Sequence, residues 1–298
     1  LAKSLPDLWR IAVTVPESGL DAFETALGRF SDAVSMMLPL GADPGDGADW
    51  RLEAVCRTPP DHTAVEVALE VTAASLGIAA PEAEFGRITG RDWLVENLQS
   101  FPPILVGRFF IHGSHWQGHT PRHMVPLMVD AATAFGSGEH PTTQGCMMAL
   151  DKLARRRRFV QPLDMGCGSG ILAMCMARLW PHPVVAADID PEAVRVTRFN
   201  AERNRLAQRI TAVGGDGYRQ RVVNRHKPYD IIVANILARP LRRMAPQLRA
   251  HLAPGGVAVL SGLLVRQERL VLSAHRSQGL RLVGRIVVNG WSTLVLAG

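Results

Sequence analysis

Three glycines at alternate positions break an apolar run in PLDMGCGSGILAMCMARL, residues 162–179. A short strand ends at Asp164, and a loop follows with Gly166, Gly168 and Gly170. An apolar helix comes next. Glycines are needed where backbone turns sharply from strand to helix and a ligand lies against the main chain. The spacing is G-x-G-x-G and position 171 is Ile, so the dinucleotide fingerprint G-x-G-x-x-G is not met. An acidic residue just before the loop suits a ligand with a positive ammonium group better than a pyrophosphate. S-adenosylmethionine carries that group on its methionine end.

Asp188 lies 22 residues after Gly166, at the end of a second apolar strand, VVAAD. A carboxylate there can accept both ribose hydroxyls of a nucleoside. Asp190 precedes Pro191 and reads instead as a helix N-cap with proline in the first turn. Asp216 in GGDGYR has two readings, a contact to an adenine amino group or a turn residue. Asn235 ends the strand PYDIIVAN, offering a donor and an acceptor where ligands gather in open α/β sheets.

Upstream, the Gly- and hydroxyl-rich loop AFGSGEHPTT leads into a helix from about Pro141. Thr142 and Thr143 fall in its first turn, where free backbone N–H groups bind carboxylates. His140 is either a proton acceptor or a helix-start residue, the second being the commoner use. No Ser-His-Asp or Cys-His arrangement stands out, and no catalytic residue is assigned beyond that candidate.

These elements require a doubly wound, Rossmann-like parallel sheet from Leu163 onward, closed by an antiparallel pair in RLVGRIVVNGWSTLVLAG. The front half reads differently. WRIAVTV alternates like a strand, and Leu20, Phe23, Leu27 and Phe30 recur at helical spacing over Glu17–Phe30. AVSMMLPL and WRLEAVCRT are further strands around the loop Gly41–Asp49. Asp61–Gly77 is a helix and EFGRIT a last strand. The order βαββαβ is that of a ferredoxin-like α+β domain. A linker helix is expected at Arg91–Phe101, then extended hairpin-like structure in PILVGRFFIHGSHW. The expected domains are 1–90, a linker of helix and strands at 91–118, and a methyltransferase domain at 119–298.

The motifs AFGSGEHPTT, LDMGCGSGIL, ADIDP and VANIL, in that order, resemble the ribosomal protein methyltransferases that modify large-subunit ribosomal protein eleven. The resemblance covers most of the chain. It implies S-adenosylmethionine contacts at Thr143, Gly166, Asp188 and Asn235; Gly168 and Phe135 complete the expected set. It further implies transfer to lysine side-chain amines and an N-terminal amine, with the ferredoxin-like domain recognising the substrate. Ser137 stands where the family often has Thr, Ala131-Ala132-Thr133 follow Asp130, and Glu96–Gln99 stand where the family has a further Trp. These departures touch linker packing and leave the cofactor positions intact.

Charge is unevenly spread. Residues 1–90 hold 6 Lys+Arg against 14 Asp+Glu, and residues 91–298 hold 27 against 13. An acidic front domain would steer a basic ribosomal protein. The run Arg155–Arg158 reads as a solvated turn ahead of a strand. The four cysteines have no metal-site spacing, so reduced thiols and no metal are expected. Neither a secretory signal nor a run of about 18 apolar residues is found. The expectation is a cytoplasmic monomer without a membrane, for which ribosomal RNA contact is permitted and not required. An RNA methyltransferase is the alternative, since the basic back half allows it. Against it, the fourth strand ends in Asn-Ile-Leu, without the Asn-Pro-Pro-Tyr of enzymes that methylate planar amides. Separation of the front domain disfavours a small-molecule methyltransferase, and Ile171 disfavours a nicotinamide dehydrogenase.

Overall fold

Contacts divide the chain into two units, Leu1–Asn97 and Leu98–Gly298. The structure, a computed structural model, describes residues 8–31, 33–37, 49–88, 103–129 and 140–298. The expected loop at 41–49, save Asp49, and the linker helix at 91–101 lie outside the described residues, as do Phe135 and the tract AFGSGE.

In the first unit the elements run β1 (Leu8–Val15), α1 (Leu20–Leu27), β2 (Ala33–Met37), β3 (Trp50–Cys56), α2 (His62–Leu76) and β4 (Glu84–Ile88). The strands form an antiparallel sheet in the order β2-β3-β1-β4. Strict alternation buries Trp50, Leu52, Ala54 and Cys56 on one face of β3. Helix α1 buries Leu20, Phe23 and Leu27, as its spacing requires, but stops short of Phe30. Arg29 and Phe30 donate three residues back, to Ala26 and Leu27, so the chain tightens into a turn after Gly28. Asp61 caps α2 by accepting from the Ala64 N–H at 3.1 Å, and Gly77 ends it at φ +68°.

The second unit begins with a three-stranded sheet, β5 (Ile104–Val106), β6 (Phe109–His112) and β7 (Val125–Met128). The hairpin expected in this stretch is β5-β6; β7 is not apparent in the sequence, because four residues containing Pro126 show no period. Val106, Phe109, Ile111 and Leu127 pack into the same core as the helices that follow. These strands therefore belong to the second unit, whose contacts begin at Leu98.

There follow α3 (Pro141–Ala154), β8 (Pro162–Met165), α4 (Ile171–Leu179), β9 (Val184–Asp188), α5 (Pro191–Arg203), β10 (Ile210–Gly214) and α6 (Arg221–Arg225). The chain ends with β11 (Tyr229–Asn235), α7 (Ala238–His251), β12 (Leu252–Leu264), α8 (Glu268–Arg276), β13 (Arg281–Val288) and β14 (Trp291–Ala297). The sheet order is β10-β9-β8-β11-β12-β14-β13. The first five strands are parallel, and β14 runs against both β12 and β13. Ala253–Gly256 appear as a register shift between the Tyr229/Leu252 and Ile231/Val257 pairs. Both faces of the sheet are covered. Ile231 and Val233 enter the core shared with α3, α4 and α5, while Ile232 and Ala234 enter the one shared with α7 and α8. Strand order reverses between β8 and β11, which opens a crevice at their carboxyl ends.

Candidate functional site

The glycine loop leaves β8 at that crevice. Gly166, Gly168 and Gly170 hold φ of +78°, +52° and +80°, a region L side chains rarely adopt. The Gly166 and Cys167 N–H groups both donate to the Ala187 carbonyl, at 2.8 and 3.1 Å, which pins the loop to the end of β9. A Cβ on Gly166 would lie 2.3 Å from Ile236 Cγ2. Asp188 is half-buried beside the loop. Its Oδ2 accepts from the Gly168 N–H at 2.9 Å and its Oδ1 from the Asp190 N–H at 3.0 Å. Each oxygen keeps a lone pair beyond these bonds. Asp190 caps α5, accepting from the Glu192 N–H at 2.9 Å, with Pro191 in the first turn. Asp216 is exposed and pairs with Arg219 at 3.3 Å.

Across the crevice, Asn235 ends β11. Its Nδ2 donates to Thr143 Oγ1 at 3.3 Å, which joins β11 to the start of α3. The buried Asn235 Oδ1 has no partner among the described residues. Thr143 is fully buried, and its N–H donates to the His140 carbonyl at 2.9 Å. The Thr142 N–H faces His140 Nδ1 at 3.4 Å. The helix-start N–H groups expected to be free are thus taken up within the chain, and what Thr143 offers is its hydroxyl. His140 is the N-cap, and its ring stands edge-on to Trp291, 4.8 Å between centroids. Burial lowers its pKa to about 4, so the ring is neutral at pH 7.

Sequence reasoning missed Gly262. It holds φ +87°, and a Cβ there would sit 2.3 Å from the Ile236 carbonyl oxygen. Ile236 is thereby held between Gly166 and Gly262, and its N–H donates to the Ser261 carbonyl at 3.2 Å. A glycine in the interior of an apolar strand was the available signal.

Asp164 is fully buried. Its Oδ2 accepts from the Ala173 N–H at 2.8 Å, capping α4 from below, and its Oδ1 has no partner among the described residues. Burial, helped by the negative charge of Asp188, raises its pKa to about 7. A carboxyl whose pKa rises on folding takes up a proton on folding, so stability is lost as pH climbs from about 4 through about 7. Asp164→Asn is expected to narrow the gap in melting temperature between pH 5.5 and pH 8. An unchanged gap would show that Asp164 does not titrate in this window.

Among the described residues no cluster of His, Cys, Asp or Glu could hold a metal ion, and all four cysteines are buried. No helix of these residues is long and apolar enough to cross a membrane.

The sequence profile of the family "Ribosomal protein L11 methyltransferase (PrmA)" matches residues 47–297. The chain belongs to this family. Curated relatives named ribosomal protein L11 methyltransferase include one from Rhizobium etli, 44% identical over 222 residues, covering 74% of this chain and 76% of the relative. Another, from Caulobacter sp., is 44% identical and covers 69% of this chain and 70% of the relative. A crystal structure of ribosomal protein L11 methylase from Lactobacillus delbrueckii subsp. bulgaricus superposes with a TM-score of 0.59 at 27% identity. That match covers 66% of this chain and 98% of the other.

Proposed function

We propose that this chain transfers methyl groups from S-adenosylmethionine to lysine side-chain amines, and to the N-terminal amine, of ribosomal protein L11. The observation that carries the reading is Asp188: a half-buried carboxylate fixed by two backbone N–H groups at the strand end nearest the glycine loop. The residues present fit the cofactor. The loop backbone carries no side chains at its three left-handed positions, and Asp188 has acceptor capacity for two ribose hydroxyls. Asp164 Oδ1 and Asn235 Oδ1 are buried acceptors without partners among the described residues, a donor set that suits a cationic ligand. Thr143 completes the site through its hydroxyl, and Phe135 belongs to the same proposed set.

When bound, S-adenosylmethionine supplies an electrophilic methyl group on a sulfonium. The protein's task is then to position an amine and keep water out. A free lysine has a pKa of about 10.4 and is protonated at pH 7. Desolvation in a crevice favours its neutral, nucleophilic form. The bond from Asn235 to Thr143 fixes the amide, so that its oxygen is the group left to accept an N–H of the incoming amine and aim the lone pair.

His140 is a positioning residue in this reading. A ring with a pKa of about 4, used as a helix cap, is a poor proton acceptor at pH 7. His140→Asn, which keeps a capping side chain, is expected to leave the methylation rate within about twofold and the pH–rate profile unmoved. A loss of about a hundredfold, with a changed profile, would make His140 the base.

The first unit is proposed as a ferredoxin-like substrate-recognition domain at residues 1–90, and its βαββαβ chain order and β2-β3-β1-β4 sheet support this. Its excess of acidic residues suits a basic protein, so KM for the substrate is expected to rise with salt while cofactor affinity holds. Salt-independent KM would remove the steering role. The same reading places the enzyme in the cytoplasm as a monomer. Labelled S-adenosylmethionine, offered with ribosomal proteins and separately with ribosomal RNA from a strain lacking the enzyme, tests the function. Label in one large-subunit protein is expected; label only in RNA would overturn the substrate.

A further inference from the structure

In a doubly wound sheet, every helix-to-strand loop lies on the rim opposite the cofactor crevice. In the second unit these loops collect cations. The loop before β8 carries Arg155–Arg158, all exposed. Arg205 and Arg209 lie in the loop before β10, Arg225 ends α6 and Lys227 follows it before β11, and Arg276 and Arg281 flank the loop before β13, again all exposed. Backbone and side-chain bonds tie neighbouring loops together. Arg157 Nη1 donates to the Gly255 carbonyl at 2.6 Å, the Gln161 amide donates to the His226 carbonyl, and the Val184 N–H donates to the Arg209 carbonyl at 2.7 Å. By strand order these loops are spread along about 29 Å of the sheet edge at about 4.8 Å per strand, and the adjacent ends of β8 and β11, with Arg155–Arg158 and Lys227, are the densest part.

Few acids oppose them. Asp151 is held by Arg108 and Arg155. Both oxygens of Asp230 accept backbone N–H groups, from Val160 and Gln161. Complementing helix dipoles explains one basic residue in the last turn of a helix, such as Arg225 or Arg276. It does not explain Arg156, Arg158, Lys227 or Arg281, which lie past the helix ends. Arg205 is the sharpest case. It occupies the left-handed position after α5 at φ 58°, with the Leu206 N–H bonded back to the Ala201 carbonyl. Glycine or asparagine is the usual residue at that position. An arginine there accepts backbone strain to place a cation on the rim.

We propose that this rim binds the phosphate backbone of duplex RNA. Arginine outnumbers lysine on the strip, and its planar fork matches phosphate oxygens in pairs. The large aromatic side chains of these loops, Phe159 and Trp180, are buried, and the exposed ring beside them is the small imidazole of His226, whose Nδ1 lies 2.9 Å from the Val222 carbonyl. A nucleic-acid duplex carries closely spaced phosphates, about one charge per 1.7 Å of axis in DNA, so a row of cations of this length meets several at once. The rim lies away from Asp188 and Asn235, so RNA there leaves the crevice open. This inference does not depend on which protein is methylated.

The test uses the full-length protein and two fluorescent RNA duplexes of unrelated sequence, titrated over a range of KCl. The two are expected to bind within about twofold of each other, with log affinity falling against log salt at a slope of about −4. The triple variant Arg156→Gln, Arg158→Gln, Lys227→Gln is expected to bind RNA at least about tenfold more weakly, with a slope shallower by about 2. It should melt with the wild type and methylate free protein substrate at the wild-type rate. Arg242→Gln with Arg243→Gln, on α7, should leave RNA binding unchanged. Undiminished RNA binding by the rim variant would overturn the proposal. So would strong preference for one sequence, or equal competition by polyglutamate at matched charge, which would make an acidic protein the partner.

Discussion

Asp188→Asn is expected to weaken binding of S-adenosylhomocysteine at least about a hundredfold, a loss of about 2.8 kcal/mol. Two effects combine. The carboxylate holds the Gly168 and Asp190 N–H groups, one on each oxygen, at 2.9 and 3.0 Å. An amide can accept only one of them and turns an NH2 toward the other, so a donor meets a donor at the base of the glycine loop. The charge that strengthens the bonds to ligand hydroxyls is also lost, and hydrogen bonds to charged groups are worth about 1.5–3 kcal/mol each. Asp190→Asn is the matched control two residues away. Asn caps helices about as well as Asp, so that change should leave affinity within about twofold. Calorimetric titration of both variants checks the pair. Equal losses would mean that loop geometry, and not ligand contact, is what Asp188 provides.

That contrast was legible in the sequence because two local rules separate the residues. Pro191 marks Asp190 as a cap, and the apolar strand VVAAD marks Asp188 as a strand end. Asn235 was legible for the same reason. Thr143 shows where such rules stop. Its place in the first turn of α3 was readable, yet the turn's N–H groups are taken by His140, and what faces Asn235, 92 residues away, is the hydroxyl. Pairings across the sheet carry no sequence signature. The same holds for β7, whose four residues are made a strand by β6 alongside them, and for the unit boundary, which depends on which core Phe109 and Ile111 enter. The run Arg155–Arg158 was readable as an exposed turn; that other basic loops line up beside it follows only from strand order.

Gly262, whose one sequence signal is a glycine inside an apolar strand, gives the second large effect: Gly262→Ala is expected to destabilise the second unit by about 3–5 kcal/mol. The backbone holds φ +87°, which disfavours alanine, and the new Cβ would lie 2.3, 2.6 and 2.9 Å from the carbonyl oxygen, carbonyl carbon and nitrogen of Ile236. These are main-chain atoms and cannot swing aside as a side-chain tip would. Gly255→Ala separates the two contributions. It has φ +66° in the same strand, β12, with nothing within 4 Å of its Cβ, so only the conformational part applies, about 1 kcal/mol. At about 2–4 °C per kcal/mol, Gly262→Ala should melt roughly 6–20 °C below the wild type and Gly255→Ala only a few degrees below it. The closer approach has a second consequence. Ile236 follows Asn235 directly and also abuts Gly166, so pushing it away from β12 displaces the amide and crowds the glycine loop together. Methyl transfer should therefore fall in Gly262→Ala even well below its melting temperature, while Gly255→Ala keeps wild-type activity there. If both variants melt alike and both stay active, the close approach at Ile236 relaxes without consequence, and the two sides of the crevice are not coupled through it.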